Sequence, residues 1–140
     1  MQVTGGCHCR NIKLSLKWPD ECSRISARAC GCSFCVKHGG VWASDPNWRL
    51  VVNVDHPALV SRYEFGTRTA AFHVCSRCGI VPLVTCTIED HLYAVVNVNA
   101  LDGVKDVLDR ADANFDDEDT AARLARRKRN WIAEVHFSHG

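Results

Sequence analysis

Seven of the nine cysteines in this 140-residue chain fall into three tight groups. They are Cys7 and Cys9, then Cys30, Cys32 and Cys35, then Cys75 and Cys78. In sequence the groups read Gly-Cys-His-Cys, Cys-Gly-Cys-Ser-Phe-Cys and Cys-Ser-Arg-Cys-Gly. Thiolates at such spacing can share one metal ion, and a shared ion forces distant segments to meet. No hydrophobic pattern in the chain constrains the fold as tightly.

The compartment decides how the thiols are read. Residues Met1 to Cys7 carry neither the basic n-region nor the apolar h-region of a signal peptide. No apolar run reaches the roughly 18 residues of a membrane span. Both features predict a cytoplasmic protein without a membrane partner. Disulfides are rare in that reducing environment, so clustered cysteines there point to metal or catalysis. An odd number of cysteines also fits poorly with a closed disulfide framework. The length predicts a single domain over residues 1–140, and 24% charged with 46% hydrophobic residues is ordinary for a globular protein. The formal net charge is +1 with cysteine counted as neutral. Seven thiolates and two divalent ions, seven negative charges against four positive, would bring it to −2. Neither value suits an electrostatic nucleic-acid binder.

Most of the chain reads as short strands. Ile12, Leu14, Leu16 and Trp18 alternate with Lys13, Ser15 and Lys17, a period of two with one apolar face. Pro19-Asp20 ends that run. Residues 41–43 and 48–54 are β-rich on either side of Asp45-Pro46-Asn47. Further runs cover 59–65, 70–74, 80–88 and 92–98, and Pro82 makes the third of these start late or lie at an edge. The sum is a mainly β, antiparallel domain. Residues 116–129 break the pattern, with acids first and bases last around alanines and a leucine. That predicts a short C-terminal helix, followed by a last strand near 131–137. The basic run Arg126 to Arg129 reads as the dipole-complementing end of this helix, with a nucleic-acid patch as the competing reading.

Zinc takes four ligands in a tetrahedron with sulfur about 2.3 Å away, which puts neighbouring sulfurs just under about 4 Å apart. Cys7 and Cys9 meet this as alternate residues of an extended strand. Cys75 and Cys78 meet it in a tight turn for which Gly79 supplies a positive φ. The two pairs together make a closed four-thiolate site. Cys30, Cys32 and Cys35 remain, and three protein ligands with one open position is the catalytic arrangement of zinc. The triplet is also compatible with a metal-free redox centre, or with a second structural site closed by a histidine or by Cys22. Two zinc ions per chain is the simplest division. Cys86, within an apolar run, reads as a buried small hydrophobe. His38 and His73 are the candidate proton donors or acceptors, the former three residues past the triplet and the latter two before Cys75.

The order of these motifs resembles that of the glutathione-dependent formaldehyde-activating enzyme family, also called the Gfa-like or centromere protein V family. Gly6-Cys7-His8-Cys9 resembles its opening motif, Cys30-Gly31-Cys32-Ser33-Phe34-Cys35 its central Cys-x-Cys-Ser-x-Cys, and Cys75-Ser76-Arg77-Cys78-Gly79 its Cys-x-x-Cys-Gly. The resemblance covers residues 4–100. It implies the β-tent fold, a zinc-binding fold of several small antiparallel sheets. It also implies a structural zinc on Cys7, Cys9, Cys75 and Cys78, and a catalytic zinc on Cys30, Cys32 and Cys35. The activity implied is that of a carbon–sulfur lyase of the S-(hydroxymethyl)glutathione synthase type, with a small thiol such as glutathione as partner. The sequence departs from the family pattern at Gly31, where histidine is usual, and at Val36-Lys37, where an arginine often follows the third cysteine. The competing expectation is a non-catalytic zinc module for a protein or nucleic-acid partner.

Overall fold

The computed structural model describes residues 2–18 and 24–139. It is mainly β, as the spacing of turns predicts. The strands are β1 (Gln2–Gly6), β2 (Ile12–Lys17), β3 (Ile25–Cys30), β4 (Val41–Ala43), β5 (Arg49–Val54), β6 (Val60–Tyr63), β7 (Ala71–Cys75), β8 (Leu83–Ile88), β9 (His91–Asn97), β10 (Leu108–Ala113) and β11 (Glu134–His139). Helices α1 (Ser33–His38) and α2 (Thr120–Asn130) interrupt them. No helix among the described residues is long and apolar enough to cross a membrane.

Two sheets form, one ordered β1-β2-β5-β11 and the other β10-β3-β4-β9-β8-β7-β6. Most neighbours are antiparallel, but β10 runs parallel to β3 and β11 parallel to β5. Both parallel partners arrive from the C-terminal third after long connections, which is what parallel pairing requires. The hairpin between β8 and β9 turns on Glu89 and Asp90, both at positive φ (52° and 65°). That is the twist-matched two-residue turn antiparallel strands prefer. Paired backbone hydrogen bonds between Ala94 and Ile132 tie the start of the C-terminal strand segment onto β9.

Alternation along β2 buries Ile12, Leu14 and Leu16 and turns the lysines outward. With Leu50, Val52, Leu83 and Ile132 these residues build the larger apolar cluster. A second cluster gathers Trp42, Val84, Tyr93, Val95 and Trp131 around Cys35. Strand β7 lies between the two. Phe72 and Val74 face the second cluster, while Cys75 faces the first, as the period of a strand dictates. Helix α2 starts where the acid-to-base gradient predicts. The carboxylate of its N-cap, Asp119, accepts a hydrogen bond from Ala122 N at 2.7 Å.

Candidate metal centres

The first cysteine pair sits in the turn that joins β1 to β2, not in an extended strand as its spacing suggests. Cys7 N donates to Ile12 O (2.9 Å), Arg10 N donates to Cys7 O (3.1 Å), and Arg10 takes a positive φ of 66°. Cys7 and Cys9 are brought together by this knuckle, because a strand would have carried Cys9 away from the turn. Buried Asn11 fixes the base of the knuckle by exchanging hydrogen bonds with the backbone of His56. The second pair behaves as expected. Cys75 ends β7, Gly79 N donates back to Cys75 O (2.7 Å), and Gly79 has φ 82°.

The four sulfurs of Cys7, Cys9, Cys75 and Cys78 lie within 4.8 Å of one another. Cys7 and Cys9 Sγ are 3.7 Å apart and Cys9 and Cys75 Sγ 3.5 Å apart, close to the edge of a zinc–thiolate tetrahedron. Backbone N–H groups point at the sulfurs, with Ile12 N donating to Cys7 Sγ at 3.3 Å. Burial pushes the Cys7 thiol up to about 12. Burial also opposes ionisation of Cys78, yet the N–H groups of Cys9 and Ile80 help hold it at about 6. Four sulfurs with aimed N–H donors, and no fifth ligand among the described residues, fit a structural zinc, and the cluster can hold a metal ion.

The triplet forms where β3 passes into α1. Cys30 ends the strand, Cys32 caps the helix and Cys35 lies one turn in. Their sulfurs also lie within 4.8 Å of one another. Each accepts an N–H: Cys30 Sγ from Cys32 N (3.5 Å), Cys32 Sγ from Cys35 N (3.4 Å), and Cys35 Sγ from Trp42 Nε1 (3.3 Å). Hydrogen bonding from the Cys35 thiol draws Cys30 down to about 5. Cys35 itself is raised, by that same contact and by burial. Among the described residues no fourth cysteine, histidine or carboxylate joins this group. The donor set fits a divalent ion that keeps one open position, and the identity of the ion rests on sulfur softness, which favours zinc.

Gly31 lies between the first two cysteines of the triplet. A Cβ built there meets only Ala113 O at 3.5 Å and Asn114 Nδ2 at 3.9 Å, ordinary contacts. Nothing in the backbone therefore demands glycine at this position.

The three sulfurs open onto a cavity of ≈ 140 Å³. Its walls are aromatic, with Trp42, Phe65, Phe72, Phe115 and Trp131, and cationic, with Arg28, Arg123, Arg126 and Arg127. The basic run of α2 thus turns partly inward. Arg126 stacks over the Phe115 ring at 3.7 Å and binds Glu118 at 2.9 Å. Arg127 is buried, donating to Thr69 Oγ1 at 2.9 Å and to Cys86 Sγ at 3.5 Å. Cys86 is a buried member of the second apolar cluster, as its surroundings in sequence predict.

The two histidines do not join the triplet. His38 is exposed at the end of α1 and stacks on Phe34 with ring centroids 5.3 Å apart. His73 is buried, bonded to Thr85 Oγ1 at 2.7 Å, and lines a separate cavity with Phe137. Burial, aided by Arg62, pulls its pKa down to about 4. Neither histidine lines the cavity at the triplet, whose titratable carboxyl is Asp116. Cys22 and the Pro19-Asp20 turn lie outside the described residues. Arg28 and Arg123 were not legible as site residues. Arg28 alternates among small residues two positions before Cys30, and Arg123 looked like any solvated base on a helix. Their one sequence signal is arginine rather than lysine at all four positions, the choice that buried anion contacts favour.

No protein-family model and no curated protein matches the sequence. Among solved structures, the crystal structure of a Rhodobacter sphaeroides protein superposes with a TM-score of 0.53 at 31% sequence identity, over 73% of this chain and 90% of that one. With identity at that level over nearly all of the other protein, the chain belongs to the same family as this Rhodobacter sphaeroides protein.

Proposed function

We propose that the chain is a two-zinc enzyme of the carbon–sulfur lyase type, acting on the adduct of a glutathione-type thiol with a small carbonyl compound. The observation that carries this reading is the three-sulfur group with no fourth protein ligand among the described residues, set at the edge of a cavity. The resemblance of the three motifs to the Gfa-like family supports the same reaction class. A zinc ion held there would lower the pKa of an incoming thiol from its ordinary value of about 8.5 and so supply a nucleophile at neutral pH.

The chain's residues set the remaining conditions. Trp42 orients Cys35 through its indole N–H. The backbone N–H groups of Cys32 and Cys35 hold the other two sulfurs toward one point. Trp42 and Phe72 give the cavity an apolar wall. In the synthetic direction the thiol sulfur bonds to the carbonyl carbon, the carbonyl π bond breaks, and the thiol proton passes to the new hydroxyl oxygen. The lyase direction is the reverse, with no oxidant or reductant required. Asp116, a carboxyl that lines the cavity, is the residue we assign to relay that proton.

A binding-module reading has one observation in its favour. Val36 and Tyr63 are exposed, and Tyr63 belongs to a stack of rings with Phe34 and Phe65. Cobalt in place of zinc separates the two readings. Titration with glutathione and other small thiols should change the thiolate charge-transfer bands, and Cys32→Ser should abolish the change. If no thiol perturbs the spectrum while a protein or nucleic acid binds tightly, the enzyme reading is wrong.

A further inference from the structure

The cavity beside the triplet holds positive charge that the fold itself does not neutralise. Of its four arginines, Arg126 alone has a carboxylate. Glu118 binds it with both oxygens, at 2.9 to 3.1 Å. Among the described residues Arg28, Arg123 and Arg127 make no ion pair. Arg28 reaches a neutral acceptor, Ser44 Oγ, at 2.9 Å. Arg123 donates to the carbonyl of Phe115 at 2.9 Å. Arg127, only 7% exposed, has Thr69, Cys86 and the face of Trp131 for company.

Two donors are left over. The Nε atoms of Arg123 and Arg127 are buried and have no acceptor. A guanidinium stays charged at any physiological pH, and a buried charge without a partner is costly. Native folds seldom retain such groups unless something else completes them. The apolar alternative was open on this wall, where the neighbours are Trp131, Val84 and Val95.

Charge counting limits what completes the site. Four guanidiniums bring four positive charges, and Glu118 and Asp116 bring two negative ones. A divalent ion on three thiolates would contribute one further net negative charge. One positive charge remains. A ligand with one carboxylate and an uncharged sulfur, protonated or bonded to the carbonyl carbon, would meet it, and a neutral ligand would leave the buried Nε donors of Arg123 and Arg127 unpaired.

We propose that this cavity clamps a single carboxylate of its substrate between Arg123 and Arg127, with Arg28 flanking and the rest of the molecule lying on Trp42 and Phe72 toward the three sulfurs. The substrate class is a small thiol acid, or its carbonyl adduct, with the carboxylate a few bonds from the reacting sulfur. Arginine forks match a carboxylate in two parallel hydrogen bonds, which gives geometry as well as attraction. A site built around such donors discriminates against the neutral analogue, because binding that analogue strands them. The clamp rests on the reading of the triplet as a thiol site only for the direction in which the substrate points. The unpaired arginines stand without it.

The test compares 3-mercaptopropionate with 3-mercaptopropionamide, which differ only in the charge at one end. Cobalt-loaded protein reports sulfur at the metal through its visible bands. Zinc-loaded protein reports cavity occupancy through tryptophan fluorescence, since Trp42 and Trp131 line the cavity. The acid is expected to bind at least about tenfold more tightly than the amide, and Arg127→Leu to erase that ratio. Arg127 is also packed into the fold, so the half-exposed Arg123→Gln provides the same comparison in a variant with less to lose. Equal affinity for acid and amide, or a ratio preserved in folded Arg123→Gln, overturns the clamp and leaves the thiol chemistry standing. Fluorescence quenching by the acid alone, with unchanged visible bands, keeps the clamp and overturns the thiol chemistry. No response to the acid in either signal overturns both.

Discussion

Cys7 and Cys75 are 1% and 0% exposed within the larger apolar cluster, on turns that close two separate hairpins. Cys30 and Cys32 are half-buried at the edge of a cavity, on one continuous stretch from β3 into α1. The ligand chemistry of the two clusters is the same and their place in the chain is opposite. The four-thiolate cluster bridges residues 66 positions apart, so a metal there closes a long loop and holds β1, β2 and β7 together. The triplet spans six residues, so a metal there closes almost nothing. Its sulfurs are instead placed by local hydrogen bonds and by Trp42. A metal at the first cluster would therefore be coupled to folding, and one at the second to the cavity.

Breaking that contrast begins with single cysteines. A structural zinc contributes on the order of 10 kcal/mol to the folding of a small domain, as much as the whole stability of about 5–15 kcal/mol. Cys75→Ala should therefore give mostly unfolded or insoluble protein. Cys32→Ser should remain folded, lose one equivalent of metal, and melt within a few degrees of the parent. Circular dichroism and metal analysis of the two variants check this. A soluble Cys75→Ala variant with an unchanged melting temperature would erase the distinction between the clusters.

A smaller effect sharpens the same comparison. Trp42 Nε1 donates to Cys35 Sγ at 3.3 Å and shares its apolar cluster, whereas Cys7 and Cys75 belong to the other. Removing an outer hydrogen bond to a metal ligand typically lowers affinity about 10- to 100-fold. In Trp42→Phe the second metal should weaken by that factor in competition with a chromophoric chelator, while the first is unchanged. Equal weakening of both would mean that the clusters are coupled through the core.

Much of this was legible in the sequence, for reasons specific to particular residues. The strands β2, β5, β8 and β9 follow from alternating or β-branched runs bounded by turn residues, and Pro82 correctly delays β8 to Leu83. Helix α2 follows from Asp119 and the arginines behind it. Strand β3 did not stand out, because its inward residues are Ile25, Ala27 and Ala29, and alanine carries little apolar signal. Strand β10, Leu-Asp-Arg-Ala-Asp-Ala, is an exposed edge strand with no alternation to find. Helix α1 has only six residues and was hidden within the cysteine motif. The composition of both sulfur clusters was readable from spacing, since ligand pairs carry their own geometry. The Cys7-Cys9 pair shows the limit of that inference. The same i, i+2 spacing suits a strand and a knuckle, and only the hydrogen bonds of Arg10 and Ile12 decide between them. The arginine wall was not readable, because burial of a charge depends on tertiary neighbours such as Thr69 and Trp131 that lie far away in sequence.

Stepwise removal of metal from the fully loaded protein tests the difference between the clusters most directly. A chelator is added in increments while released zinc, reactive thiols and the circular dichroism of the β-sheet are followed together. Two zinc ions per chain should leave in two phases. The first should expose Cys30, Cys32 and Cys35 to a thiol reagent with the sheet signal intact. The second should expose Cys7, Cys9, Cys75 and Cys78 together with loss of the sheet signal. Release in a single phase, or loss of the sheet signal with the first ion, would contradict the assignment of one centre to the fold and the other to the cavity.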